Sequence, residues 1–281
     1  MSLSGNAIVA GIIGWPINHS RSPLIHGHWI QKYGIDGTYV PFAVHPDNAV
    51  DAIRSLPKIG IAGINVTVPH KVTAFNVVDV RDAASEAIGA VNTIVVQSDG
   101  SLHGSNTDAP GLLAHLQVSA PDWKPKAAPA VILGAGGSAR AAVHALLEAG
   151  VPEIRIINRT KSKAENLASN FGEHIKVVNW SDRASSLAEC GLLVNTTSLG
   201  MKGQQPLEMP LDDLPKTAVV YDIVYVPLET NLLATARARG NKVVDGLGML
   251  LHQATPGFHA WFGVNPTVDE ALRKVILDDL K

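Results

Sequence analysis

The sequence has little cysteine, little charge and no long apolar run. Among 281 residues the one cysteine is Cys190. A single thiol cannot close an intrachain disulfide or build a cysteine-based zinc site. Cys190 is therefore expected to be a small buried residue without assigned chemistry, and no metal is expected. Charged residues make up 17% of the chain, against roughly 25% in an average soluble domain. Lys and Arg number 23 against 25 Asp and Glu, a formal net charge of −2. That balance excludes a dedicated nucleic-acid binder, which needs many cationic phosphate contacts. The most apolar stretch, residues 127–150, is broken by Arg140, His144, Glu148 and several glycines. A bilayer span needs roughly 20 nearly uninterrupted apolar residues. Residues 1–14 lack the positive segment of a signal peptide. A soluble, cytoplasmic protein with neither a membrane nor a nucleic-acid partner is expected. Apolar residues are plentiful at 46%, too many for a disordered chain. The length suits one large domain or two of roughly 100–150 residues.

The patterning alternates strands with helices. Residues 7–14, 38–44, 63–68 and 90–97 read as strands, and 98–101 as a hairpin turn into another at 102–104. Residues 23–33, 46–56, 83–88 and 110–116 read as helical. Residues 119–129, with three prolines and two lysines, read as a surface connection. A second series follows, with strands at 130–133, 153–158, 192–195, 218–222 and 242–245 and helices at 138–149, 161–171 and 228–239. The fold class is α/β, with largely parallel sheets in two α/β domains.

The strand 130–133 runs into Gly134-Ala135-Gly136-Gly137-Ser138-Ala139 and then a helix. This is the G-x-G-x-x-A fingerprint in the strand–turn–helix setting it requires. Gly134 makes the turn, Gly136 admits a pyrophosphate to the backbone, and Ala139 lets helix and strand pack closely. The phosphates then meet the N–H groups of the helix N-terminus. The next strand ends in Ile157-Asn158-Arg159-Thr160-Lys161-Ser162-Lys163, where an NAD-binding domain usually places an acid. No acid lies between Arg155 and Ala164. Arg159 offers a planar donor fork for a 2′-phosphate and Lys163 follows four residues later, so NADP is read over NAD. Arg155, Arg159, Lys161 and Lys163 read together as a basic patch aimed at that phosphate. An ordinary solvated loop is the alternative.

The first half has no phosphate loop, but polar residues gather at its strand ends. Asn65, Thr67 and Lys71 stand at and beyond the end of an apolar strand, with Asn65 and Thr67 on one face. Asn92 lies beside another strand, and Asp108 just before a helical segment. Ser20 and Ser22 precede a helix, where hydroxyls and N–H groups could receive a carboxylate. Each has a plainer reading. Ser20 or Ser22 could cap that helix, Asp108 could favour its helix through the dipole, and Lys71 alone could be a solvated lysine.

These segments resemble the shikimate dehydrogenase family. The resemblance rests on Asn18-His19-Ser20-Arg21-Ser22-Pro23, Asn65-Val66-Thr67-Val68-Pro69-His70-Lys71, Gly89-Ala90-Val91-Asn92-Thr93 and Asn106-Thr107-Asp108. It continues in Gly134-Ala135-Gly136-Gly137, Asn158-Arg159-Thr160 and Asp245-Gly246-Leu247-Gly248-Met249-Leu250, in the family's order. It implies a substrate domain, residues 1–108 with 252–281, into which an NADP-binding Rossmann domain, 109–251, is inserted, with a cleft between. Residues 253–281 are expected to pack against residues 1–108. The implied reaction is reversible NADPH-dependent reduction of 3-dehydroshikimate to shikimate, toward aromatic amino acids. The implied partner is that small-molecule substrate, on a monomer or homodimer.

Carried over by residue, Ser20 and Ser22 bind the substrate carboxylate. Thr67, Asn92, Asp108 and Gln253 bind ring hydroxyls and the carbonyl region, Asn65 supports them, and Tyr225 contacts substrate. Lys71 is the acid/base, held by Asp108. The cofactor set is Gly134, Ala135, Gly136, Gly137, Ser138, Asn158, Arg159, Thr160 and Lys163, with Asn195, Thr196 and Met249. Ile223 and Gly246 line the nicotinamide pocket. Ser105 stands where many members have aspartate, and Leu199 where a small residue is usual. These departures leave room for quinate or an aminated analogue as substrate. Quinate-active relatives often carry an acid near the Arg159 position, and its absence favours shikimate with NADP. A methylenetetrahydrofolate dehydrogenase and a cofactor-binding sensor without catalysis are the other readings. The Ser20/Ser22 and Asn92/Asp108 features oppose the first, and retention of Lys71 with Asp108 opposes the second.

Overall fold

A computed structural model of the chain describes residues 2–280. It divides into two compact units, Met1–Thr107 with Leu251–Lys281, and Asp108–Leu250. The first unit opens with β1 (Ile8–Gly14), α1 (Ser22–Lys32), β2 (Gly37–Ala43), α2 (Ala49–Ser55) and β3 (Ile61–Val66). It continues with α3 (Lys71–Val77), β4 (Val80–Arg81), α4 (Ala83–Ile88), β5 (Thr93–Val96) and β6 (Leu102–Ser105). The strands form one sheet in the order β2-β1-β3-β5-β6-β4. β1 pairs in parallel with β2 and β3, and β4 with β6, while β5 runs antiparallel to both β3 and β6. β1 and β3 are almost continuously apolar, as befits central strands covered on both faces.

The second unit holds α5 (Asp108–Ser119), β7 (Ala130–Leu133), α6 (Gly137–Glu148), β8 (Ile154–Ile157), α7 (Lys161–Phe171) and β9 (Ile175–Val178). Then come β10 (Leu192–Asn195), β11 (Val219–Asp222), α8 (Asn231–Ala238) and β12 (Lys242–Val244). The sheet order is β12-β11-β10-β7-β8-β9, with every pairing parallel. β10 follows β9 in the chain yet pairs beyond β7. The chain therefore reverses direction across the sheet between β7 and β10, and ligands bind α/β sheets at such a switch, at the strand C-termini.

The chain ends with α9 (Leu247–His252), α10 (Thr255–Phe262) and α11 (Glu270–Asp279). α10 packs on β1, β3 and β5, and α11 on α1. The Trp261 indole N–H donates to Ile94 O at 3.0 Å. Gly63 on β3 has no room for a Cβ because that indole and the Ile94 carbonyl occupy the space. Trp29 Nε1 donates to Thr267 O at 3.0 Å, and Lys32 pairs with Asp269 at 2.7 Å.

The structure departs from the patterning in three places. The helix expected over 46–56 is α2 flanked by 3-10 turns, Pro46–Asn48 and Leu56–Ile59, because Pro57 cannot continue an α-helical ladder. α3, β4, β9 and the C-terminal helices α9, α10 and α11 have no counterpart in the patterning; α3, β4 and β9 span seven, two and four residues, too few for periodicity to show. The division falls after Thr107 and after Leu250, one residue before each expected boundary, so Asp108 opens the second unit. The change of texture near residue 120 lies inside that unit. α5 precedes it and belongs there by packing: it lies on α6, and its His115 Nδ1 is 3.0 Å from Tyr221 Oη.

Candidate active site

In the first unit, a buried hydrogen-bond network gathers at the strand ends. Asn65, near the end of β3, accepts from Tyr39 Oη at 2.6 Å. Its Nδ2 donates to Thr93 Oγ1 at 3.0 Å and to Asn92 O at 3.3 Å. Thr93 Oγ1 donates onward to Asn92 Oδ1 at 3.1 Å. The same oxygen receives Thr107 N at 2.8 Å and Thr107 Oγ1 at 3.2 Å. Asn65, Asn92, Thr93 and Thr107 are all buried. The tyrosine donates, so Asn65 must present its oxygen to Tyr39 and its nitrogen to Thr93. Asn92 then places its oxygen among the threonine donors and its amide nitrogen on the opposite side. Burial raises the Tyr39 hydroxyl well above its ordinary pKa, and the nearby Ser22 hydroxyl only partly offsets this. Tyr39 therefore stays a donor. His26 stacks on it with ring centroids 4.0 Å apart, and burial pushes that imidazole down to about 3, so it is neutral.

The other expected residues of this unit surround the network in the chain. Lys71 is the first residue of α3 and half-buried, and its carbonyl accepts Val91 N at 3.0 Å, one residue from Asn92. Thr67 is half-buried, and its N–H continues the ladder to Ile13 O at 3.0 Å. Ser20 Oγ accepts Ser22 N at 3.3 Å, and no side chain caps the deeper N–H groups of α1. Ser22 is buried, Ser20 is half-buried, and half-buried Gln253 lies between α9 and α10. Sequence reasoning missed Tyr39 and Thr93. Tyr39 is 26 residues from Asn65, and no local pattern links them.

In the second unit, the turn after β7 has the features a dinucleotide needs. Gly134 has φ +114°, and a Cβ there would lie 2.5 Å from Thr196 Oγ1. A Cβ at Gly136 or Gly137 would meet nothing within 4 Å. The protein's own packing does not demand glycine at those two positions, whereas a ligand lying against the backbone does. α6 starts with no side-chain cap and no acid in its first turn, which leaves its N-terminal dipole for an anion. Ala135 and Ser138 flank this turn, both half-buried. At the end of β8, Arg159, Thr160 and Lys163 are exposed, and Asn158 Nδ2 braces the turn by donating to Thr160 O at 2.7 Å. These residues fit a dinucleotide phosphate.

The basic patch is smaller than expected. Arg155 is the second residue of β8, paired with Glu153 at 2.7 Å and donating to Ser186 O and Ala188 O at 2.7 and 2.8 Å. It is a structural brace away from the strand's C-terminal end. Lys161 faces Glu165 at 3.7 Å.

Asn195, expected to touch cofactor, spends its whole amide inside the protein. Nδ2 donates to Asp222 Oδ1 at 2.9 Å and Leu199 O at 3.3 Å, and Oδ1 accepts Thr197 N and Oγ1 at 3.0 and 2.7 Å. It shapes the loop that carries Thr196, whose hydroxyl donates to Leu133 O at 2.6 Å. Asp222 is absent from the expected set, yet its buried carboxylate organises the end of β11. It accepts from Asn195, from Val224 N at 3.0 Å and from Thr230 Oγ1 at 2.7 Å. Burial outweighs these bonds and raises it to about 6. Val224 leads to half-buried Tyr225. Gly246 has no room for a Cβ because the Ile223 carbonyl fills the place, so these two expected nicotinamide residues are in contact. Met249 is buried on α9, and Asp108 is the half-buried first residue of α5.

The family model described as shikimate dehydrogenase substrate binding domain matches residues 12–94. That described as shikimate/quinate 5-dehydrogenase matches residues 116–201. A shikimate dehydrogenase (NADP(+)) from Paramagnetospirillum magneticum is 56% identical over 98% of this chain and 100% of its own length. The chain belongs to the shikimate dehydrogenase family. The crystal structure of shikimate 5-dehydrogenase from Thermus thermophilus with NADP(H) and shikimate is 34% identical, with a TM-score of 0.84 over 95% of this chain and 99% of that one. A quinate dehydrogenase from Corynebacterium glutamicum with NAD is 29% identical, with a TM-score of 0.89 over 97% and 99% of the two chains. The fold is thus shared by family members named for different substrates and cofactors. The two departures from the family pattern have structural places. The Ser105 carbonyl accepts Asn92 N at 3.0 Å, and Leu199 is buried in the core of the second unit.

Proposed function

We propose that this protein catalyses the reversible NADPH-dependent reduction of 3-dehydroshikimate to shikimate. The observation that carries this reading is the start of α3: Lys71 is tied through its carbonyl to Val91, beside the network that aims the Asn92 amide. The backbone of Lys71 is thereby fixed next to an oriented shell of hydroxyls and amides, which supports its ammonium as the group that serves a polyhydroxylated acid. Bound NADPH supplies the hydride for the carbonyl carbon. Lys71 stabilises the negative charge growing on the carbonyl oxygen and gives it a proton, and it takes that proton back in the reverse direction. Ser20 and Ser22 receive the carboxylate. Asn92, Thr67 and Gln253 orient the ring hydroxyls. Asp108, which follows Thr107 in the chain, carries the carboxylate role, and Tyr225 contacts substrate.

Gly134, Gly136 and Gly137 with the first turn of α6 hold the pyrophosphate, and Arg159 with Lys163 takes the 2′-phosphate. Without an acid at the end of β8, NADP is favoured over NAD. The test is an absorbance assay of shikimate, quinate and an aminated analogue, each with NADP and NAD. Shikimate with NADP is expected to give the highest kcat/KM, and a preference for another pair would replace this substrate assignment. Lys71→Ala is expected to lose roughly 10²-fold or more in turnover while still binding NADP. Full turnover in that variant would remove the acid–base role.

A further inference from the structure

A cavity of about 420 Å³ lies in the second unit, its walls including Arg159, Trp180, Arg183, Leu199 and Glu208. That volume is in the range of small-molecule sites. Arg159 follows β8, Trp180 and Arg183 follow β9, and Leu199 follows β10. All three strands are parallel, so these walls stand at the same sheet edge as the glycine turn after β7.

Arg183 is held in place by the chain itself. Its guanidinium lies 5.1 Å from the centre of the Trp180 ring, a cation–π contact. Nη1 donates to Trp180 O at 2.9 Å and Nε to Glu208 O at 3.0 Å. The Nη2 donors have no hydrogen-bond partner among the described residues. Arg159, Arg183 and Glu208 all line the cavity, so its walls carry two cationic residues against one anionic. An aromatic ring with a fixed planar cation beside it suits a purine bearing a phosphate.

We propose that Trp180 and Arg183 complete, with Arg159, the subsite for the 2′-phosphoadenosine end of the dinucleotide, with Arg183 as a second determinant of NADP selectivity. This rests on the NADP reading above. The pyrophosphate on Gly134–Gly137 leaves the nicotinamide to run toward β10 and β11, where Ile223 and Gly246 lie. The adenosine must then run the other way, toward β8 and β9. There Arg159 and Arg183 bracket the 2′-phosphate, and the purine lies against the Trp180 and Leu199 walls.

The test is calorimetric titration of the full-length protein with 2′,5′-ADP and with 5′-AMP. Wild type, Arg159→Gln, Arg183→Gln and Arg183→Lys are compared. Arg183→Gln is expected to weaken 2′,5′-ADP by about tenfold or more, as loss of a hydrogen bond to a charged group should. Binding of 5′-AMP should change less than about twofold, which also shows that the cavity is intact. Arg183→Lys is expected to fall in between, since it keeps the charge and loses the fork. Undiminished 2′,5′-ADP affinity in Arg183→Gln, or equal losses for both ligands, would overturn the assignment of Arg183. A wild type that binds 2′,5′-ADP no better than 5′-AMP would overturn the NADP reading itself, a separate outcome.

Discussion

Asp222 makes the stability of the second unit depend on pH in a direction opposite to ordinary surface carboxylates. Its side chain is fully buried at the end of β11. Asn195, Val224 and Thr230 donate to it, and burial still raises its pKa from 3.8 to about 6. The native state therefore keeps this proton at pH values where the unfolded chain has released it. Between those two values the folded form binds more protons, so stability falls as pH rises. A shift of about two units corresponds to about 3 kcal/mol, present below pH ~4 and lost above pH ~6.

Asp222→Asn holds the site neutral at every pH. Its oxygen can keep the Asn195 and Val224 bonds, while the Thr230 hydroxyl must accept instead of donating. Urea unfolding of both proteins at pH 4, 5, 6 and 7 measures the effect. The variant is expected to gain on wild type as pH rises, by up to about 3 kcal/mol across the range. Other carboxylates titrate in both proteins and cancel in the difference. A wild-type-minus-variant difference that stays flat from pH 4 to 7 would refute the reasoning, because it would mean that the three donors hold the carboxylate ionised throughout.

Tyr39→Phe removes the 2.6 Å donor to Asn65 Oδ1 and leaves a buried acceptor without it, at a cost of about 1–3 kcal/mol in stability. Because Asn65 then loses the bond that sets its orientation, KM for shikimate should rise more than kcat falls; unchanged unfolding and kinetics would show that the network does not depend on Tyr39. Gly134→Ala forces a side chain into φ +114° and a Cβ to 2.5 Å from Thr196 Oγ1. NADP binding, followed by titration, should weaken by at least about tenfold from strain of roughly 1–2 kcal/mol together with the clash. Gly136→Ala has protein space for its Cβ, so any loss of NADP affinity there reports ligand contact alone.

The two sites differ in how far they could be read from the chain. The turn at Gly134 and the basic turn at Arg159 were legible because both are local: a strand end, a positive φ and a charge lie within a few residues. Even there, Arg155 misled: Glu153 stands two residues before it, but the Ser186 and Ala188 carbonyls that also hold its guanidinium lie 31 and 33 residues further on. Asn65, Thr67, Lys71 and Asn92 stood out as polar residues at strand ends, but their partners did not. Tyr39, Thr93 and Thr107 come from β2, β5 and the segment after β6, and sheet register brings them together. Asp222 showed no local signal, because an aspartate ending a strand looks the same whether its carboxylate is buried or solvated.

By itself, then, the sequence determined the alternation of strands and helices, the glycine turn after β7 and the choice between an acid and a base at the end of β8. These depend on backbone geometry and charge over a few consecutive residues. Only the tertiary structure decided the orientation of the Asn65 and Asn92 amides, the burial of Asp222, the closing of the Asn195 amide onto Asp222, Leu199 and Thr197, and the allegiance of α5 to the second unit. Those depend on which distant segments pair and pack, and on where water is excluded, neither of which any local stretch encodes.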